Sequence, residues 1–150
     1  TGEDIYLKEG VLPLLQAHAV NVIHPDLATS GGILETKKIG DLAQEYGISM
    51  ALHMAGTPIS TMAAVHCAAA TENFIALEHH FNDVPFWNDF IDGVSKPIIQ
   101  NGYITVPDAP GLGFTLNEDA VKEHLIPEDR GFFEPTPQWD TERSWDRLWS

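Results

Sequence analysis

The sequence is poor in several features, and each shortage removes a class of function. Cys67 is the one cysteine in 150 residues, so an internal disulfide framework and a cysteine-based zinc site are excluded, and a reducing compartment is expected. Basic side chains number 8 against 22 acidic ones, a formal net charge of -14. A surface of that sign repels phosphate backbones, which argues against nucleic acid as a partner. No apolar run approaches the roughly 18 to 20 residues that span a bilayer, so no membrane partner is expected either. The opening TGEDIYLKEG has no basic n-region and no apolar h-region, and a cytoplasmic location is the expectation that follows. It also lacks a methionine start and reads as a piece of a longer polypeptide. What is plentiful is apolar side chain, 43 % of residues, enough for a packed core and too much for a disordered acidic tail.

Short apolar runs alternate with amphipathic stretches through the first half. Val20 to Ile23, Ile48 to Leu52 and Phe74 to Leu77 are the strand candidates. Between the first two, Ile39, Leu42, Ala43 and Tyr46 fall on one face of a helix, with Lys37, Lys38, Asp41 and Glu45 on the other. Gly47 sits where a helix C-cap belongs. Between the second and third, Thr57-Pro58 opens a helix with proline in its first turn. Leu7, Val11, Leu14 and Leu15 suit a further helix upstream, interrupted by Gly10 and Pro13. Strands alternating with helices of this length predict β/α units on a parallel sheet, and the apolar strands predict burial on both faces.

After Glu78 the pattern changes. Phe81 to Ile91 has no clear period and is expected to be a loop, with Phe86-Trp87 packing. Asn101-Gly102 between IIQ and YITV is a hairpin signal. Asn117 is placed to cap a short helix over Glu118 to Leu125. From Pro127 the chain reads as an extended arm, whose Trp139, Trp145 and Trp149 carry too much aromatic surface to leave in water. The organisation expected is therefore β/α units over 1–95, a closing hairpin and short helix over 96–126, and the extended tail over 127–150.

Each strand candidate ends in an ionisable residue. Asp26 follows VNVI, His53 follows ISMAL and Glu78 follows FIAL, with Glu3 at the extreme N-terminus. The C-terminal ends of parallel strands form one rim, where α/β folds build their sites, so residues far apart in sequence can converge there. An imidazole beside a carboxylate is a general-base pair, and a remaining carboxylate can hold a hard divalent cation or act as an acid. Taken singly, each residue has a plainer role: a turn or cap for Asp26, a core histidine for His53, a solvated strand end for Glu78, a frayed terminus for Glu3. Their equivalent places in successive units lift them as a set.

The motifs resemble a known family. GED at the start, HPDLATSGGILETKKIGDLAQEYGI, ALHMAGTPIS, ALEHH and NGYITVPDAPGLGFTLNEDAV resemble, in that order, the last strands and closing segment of the barrel in the enolase superfamily. The branch is that of mandelate racemase and muconate lactonizing enzyme, and the look is that of its acid-sugar, galactonate-type dehydratases. The likeness covers roughly residues 1 to 125. Glu3, Asp26 and His53 lie 23 and then 27 residues apart, the length of whole β/α units. The resemblance implies an α/β fold, the C-terminal part of an incomplete (β/α)8-type, TIM-like barrel.

It also implies roles. Glu3 would be a Mg2+ ligand, His53 the catalytic histidine, Asp26 its partner and Glu78 a contact to the substrate carboxylate or intermediate. The reaction implied removes the proton α to the carboxylate of a sugar acid, giving an enediolate, and then loses a β-hydroxyl to form a 2-keto-3-deoxy acid. A racemase or epimerase of the same superfamily is the alternative, and a non-catalytic partner fragment the rival from another class. The remaining barrel half and a capping domain are the partners implied, with a homo-oligomer expected of the complete protein and no activity from these 150 residues alone. His79-His80 and Phe86-Trp87 stand outside the general pattern.

Overall fold

The computed structural model describes residues 1–81 and 83–135. A first unit comprises Thr1–Asn117, and a second begins at Glu118. In the first, β1 (Val22–Ile23), β2 (Ser49–Leu52) and β3 (Phe74–Leu77) form a sheet in the order β1-β2-β3, parallel throughout. Helix α1 (Leu7–Gln16) precedes the sheet, α2 (Leu27–Ser30) and α3 (Gly32–Glu45) connect β1 to β2, and α4 (Pro58–Ala69) connects β2 to β3. The predicted β/α alternation is present, with strand and helix ends within a few residues of those expected. The Thr1 carbonyl accepts the His24 amide at 2.9 Å, so the N-terminal residues run beside β1 as a further strand would.

Side-chain period explains the layering. Ile39 and Ala43 of α3 are fully buried, with Leu42 and Tyr46 packed against the same core, while the charged face turns outward. Gly47 ends the helix at φ +68, a conformation that costs glycine nothing, and Ile48 returns its amide to Ala43 at 2.9 Å. The main core joins Val11, Leu15, Ile23, Ile39, Met50, Leu52 and Met54. Gly40 marks where α3 comes closest to its neighbours, since a Cβ there would lie 2.6 Å from Thr71 Cγ2 and 3.1 Å from Met50 Sδ. A second cluster packs Met62, Val65, Ile91 and Ile98 around Trp87, whose indole donates to the Gly56 carbonyl at 3.0 Å.

Register within the sheet is not uniform. Ile23 pairs with Met50 and Met50 with Phe74, but Ala51 pairs with Ala76, so Ile75 is an extra residue in β3. Burial on both faces holds less well at β3 than predicted. Ile75 is 58 % exposed, and no strand pairs with the outer side of β3 among the described residues. Beside it a groove of about 840 Å³ lies between β3, α4 and residues 99–106, floored by Phe74, Leu77, Ile104 and Val106.

The hairpin expected around Asn101-Gly102 shrinks to one bridge. Gln100 and Tyr103 exchange 2.9 Å backbone bonds across the turn, with both central residues at positive φ. The ladder stops there because the Ile98 amide donates instead to Asn88 Oδ1 at 2.8 Å, and Pro97 has no amide to offer. The stretch expected to be a loop contains a 3-10 turn, Trp87–Phe90, and leads into β4 (Ile91–Asp92), which pairs antiparallel with β5 (Thr115–Leu116).

In the second unit, α5 (Glu118–Glu123) is two residues shorter than expected. The tail expected to be extended instead turns over its first residues, with a 3-10 turn at Pro127–Asp129 and Phe132 bonded back to Asp129 at 2.8 Å. Trp139, Trp145 and Trp149 lie outside the described residues. Among the described residues no helix is long and apolar enough to cross a membrane.

Candidate active site

Parallel register carries the key side chains to one line across the sheet. The offset of 27 residues that pairs Ile23 with Met50 also sets Asp26 opposite His53, and the His53 amide donates to the Pro25 carbonyl at 3.1 Å. Beyond the extra residue in β3, the pairing of Leu52 with Leu77 continues to His53 and Glu78, whose amide donates to Leu52 O at 2.8 Å. Three residues predicted from sequence thus meet just past the C-terminal ends of adjacent strands.

Their contacts are specific. Asp26 Oδ2 lies 2.7 Å from His53 Nδ1, and Asp26 Oδ1 accepts the Ala28 amide at 2.7 Å, capping α2. Asp26 is 9 % exposed, so this hydrogen bond is shielded from water. With a carboxylate at Nδ1, the imidazole is directed to carry its proton there and to present the Nε2 lone pair. Nε2 faces Glu78 Oε2 at 3.7 Å. That oxygen is shielded and has no hydrogen-bond partner among the described residues, although His24 Nε2 lies 3.4 Å away, while Glu78 Oε1 is 2.9 Å from His80 Nε2.

Two members of the cluster, His24 and His80, were not among the predicted site residues. Each stands two residues from one that was, His24 before Asp26 and His80 after Glu78. In extended chain such neighbours share a side, and that spacing was the available signal. His79, between them in sequence order, points elsewhere: its ring meets Trp87 edge-on at 4.7 Å, and burial lowers its pKa, with His80 adding to the effect.

Glu3 stands apart from the hydrogen-bonded group. Its carbonyl accepts the Thr29 hydroxyl, and its carboxyl is held below the ordinary value by hydrogen bonding to its own backbone, against the opposing effect of burial. The Gly2 backbone and the His24 imidazole lower it further. Glu3 Oε2 is shielded without a hydrogen-bond partner among the described residues. An ionised carboxylate with a vacant, shielded oxygen is a fit donor for a hard divalent cation.

Residues 1–120 match the family described as enolase C-terminal domain-like. The chain belongs to that family. Over 125 residues it is 45 % identical to the D-xylonate dehydratase of Haloferax volcanii, covering 83 % of this chain and 30 % of that enzyme. It is 33 % identical over 133 residues to the D-galactarolactone cycloisomerase of Agrobacterium fabrum, 85 % of this chain and 35 % of the relative. A crystal structure of a mandelate racemase/muconate lactonizing enzyme-like protein from Rubrobacter xylanophilus superposes with a TM-score of 0.81 at 39 % identity, covering 83 % of this chain and 32 % of that one. The three parallel strands are thus the C-terminal part of an enolase-type barrel, and the chain spans about a third of the length of the relatives it matches.

Proposed function

We propose that this chain supplies the C-terminal part of the active site of a Mg2+-dependent sugar-acid dehydratase, a carbon–oxygen lyase. The observation that carries the reading is the 2.7 Å pair of Asp26 and His53 at the strand ends, with Glu78 on the far side of the ring. The 45 % identity to a D-xylonate dehydratase supports dehydration over the cycloisomerase chemistry of the more distant relative.

His53 Nε2 takes the proton α to the substrate carboxylate, and Asp26 stabilises the imidazolium that results. The electron pair left on the α-carbon expels the β-hydroxyl, which leaves as water once protonated. The enol so formed ketonises to the 2-keto-3-deoxy acid, and the net change is loss of one water. Glu78 binds the substrate at its carboxylate end. Glu3 would be one oxygen ligand of Mg2+, which when bound supplies positive charge against the negative charge developing on the substrate carboxylate.

The remaining strands of the barrel are the partner this reading requires. The side of β3 that has no strand partner among the described residues, and the apolar groove beside it, support that assignment, since an open edge invites another strand. A cytoplasmic enzyme of sugar-acid catabolism, assembled as a homo-oligomer when complete, is the setting proposed.

The test is to incubate the complete protein carrying this chain with a panel of acid sugars and Mg2+ in D2O. A 2-keto-3-deoxy product is expected, with His53→Asn abolishing it while the fold remains. Deuterium entering recovered substrate without elimination would favour the racemase or epimerase reading. Neither product nor exchange across the panel would leave only the non-catalytic one. The 150 residues alone are expected to be inactive, and Mg2+-dependent turnover by them would refute that.

A further inference from the structure

The cluster around Glu78 has a second capacity. We propose that His53, Glu78 and His80 form a binding site for a borderline divalent transition metal such as zinc, distinct from the Mg2+ role given to Glu3. One ligand atom from each of the three lies within 4.8 Å of the others. Nitrogen and oxygen donors about 2.0–2.2 Å from a tetrahedral zinc stand roughly 3.3 Å from one another. Glu78 reaches the two rings through different oxygens, Oε1 to His80 Nε2 at 2.9 Å and Oε2 to His53 Nε2 at 3.7 Å, so side-chain rotation brings carboxylate and both nitrogens to that spacing.

The donor chemistry selects the ion. Two imidazoles and a carboxylate suit zinc, cobalt or nickel, whereas Mg2+ prefers oxygen alone. Asp26 on the far nitrogen of His53 is the carboxylate–histidine–metal arrangement that fixes ring orientation and raises ligand basicity. Glu78 Oε2, shielded and without a hydrogen bond among the described residues, is the atom a cation would satisfy. His80 is half exposed and opens the site to solvent, leaving a fourth position for water. His24 Nε2, 3.4 Å from the same Glu78 oxygen, is placed to take that position instead.

The consequence for catalysis rests on the reading of His53 as the base. A metal on Nε2 occupies the lone pair that would accept the proton, so zinc bound here silences the enzyme while Glu3 remains free. The binding itself is independent of that reading, and its test uses no turnover.

Co2+ is titrated into the full chain at pH 7.5 with Mg2+ in excess, following visible d–d absorption and equilibrium dialysis. One equivalent is expected to bind, with bands of four- or five-coordinate intensity that zinc abolishes, and His80→Ala is expected to weaken binding at least tenfold. In the unsubstituted chain, Co2+ should broaden the ring NMR signals of His53 and His80 before those of His18, His66 and His124. No binding, displacement by Mg2+, an unchanged affinity in a folded His80→Ala, or first broadening at the other histidines would each overturn the proposal. If cobalt binds as expected but the complete protein shows no sugar-acid chemistry, the metal site stands and only the dehydratase reading falls.

Discussion

Asp26 divides its carboxylate between two tasks: Oδ2 holds Nδ1 of His53 at 2.7 Å, and Oδ1 caps α2 through the Ala28 amide, also at 2.7 Å. The capping role and the dyad role are therefore not alternatives. Orienting the histidine and starting the helix that follows β1 are done by one side chain, so substitutions separate them by which oxygen they remove.

Asp26→Asn keeps an acceptor for Ala28 but removes the charge that stabilises an imidazolium. Asp26→Ala removes both. Turnover of the complete protein is expected to fall by about 10²–10⁴ in either variant, the usual worth of a positioned acid–base group. The alanine variant alone should lose a further ~1 kcal/mol of stability from the missing cap. Urea unfolding beside steady-state rates checks this, and equal stability of the two variants would remove the capping role.

His79 gives a stability prediction with a definite sign. Burial against Trp87 lowers its pKa below the ordinary 6.5, with His80 adding to the shift. The unfolded chain therefore binds a proton at higher pH than the folded chain does. The stability linked to neutral His79 is full above 6.5 and declines as the pH falls through the folded value. His79→Phe keeps the ring contact and removes the titration. The stability difference between the two proteins, measured from pH 7.5 down to 5, should shift in favour of the phenylalanine variant as the pH falls. A difference independent of pH would place the histidine in an environment like water.

Gly40→Ala sets helix propensity against space. Alanine is worth up to ~1 kcal/mol over glycine in a helix interior, but the new Cβ would stand 2.6 Å from Thr71 Cγ2, an overlap that costs about 1–3 kcal/mol. A net loss is expected. Thr71→Ser deletes the clashing methyl and keeps a hydroxyl for the Cys67 carbonyl, which Thr71 bonds at 2.8 Å. In that background Gly40→Ala should cost less or stabilise, and additive effects would sink the steric account.

The residues that announced themselves in the sequence were those governed by local rules. Gly47 and Pro58 punctuated the helices, and the spacing of Asp26 from His53 equals the β1–β2 register because a parallel pair repeats at a fixed offset. The shortening of the hairpin at Asn101-Gly102 and the pairing of β4 with β5 were not visible, since both depend on contacts far apart in the chain. Asn88 takes the Ile98 amide from ten residues away, and Ile91 finds Leu116 across twenty-four intervening residues. His80 was hidden for a different reason. Its two-residue spacing from Glu78 is common after a strand, and the contact with the Glu78 carboxylate is what gives that spacing meaning.

The extra residue at Ile75 makes the site a matter of counting. Were Ile75 instead paired with Ala51 in the register that joins Met50 to Phe74, the run would set Leu77, not Glu78, beside His53, and the carboxylate would turn to the opposite face of the sheet. What matters is that Ile75 stands outside the ladder, so that the pairing resumes at Ala76. Dropping Ile75 would still leave Ala76, Leu77 and Glu78 against Ala51, Leu52 and His53, so the alignment survives loss of the bulged residue, whereas a change of length between Ala76 and Glu78 would break it. The placing of the carboxylate is thus exposed to changes of chain length on the Glu78 side of the bulge and insulated from loss of the bulged residue itself.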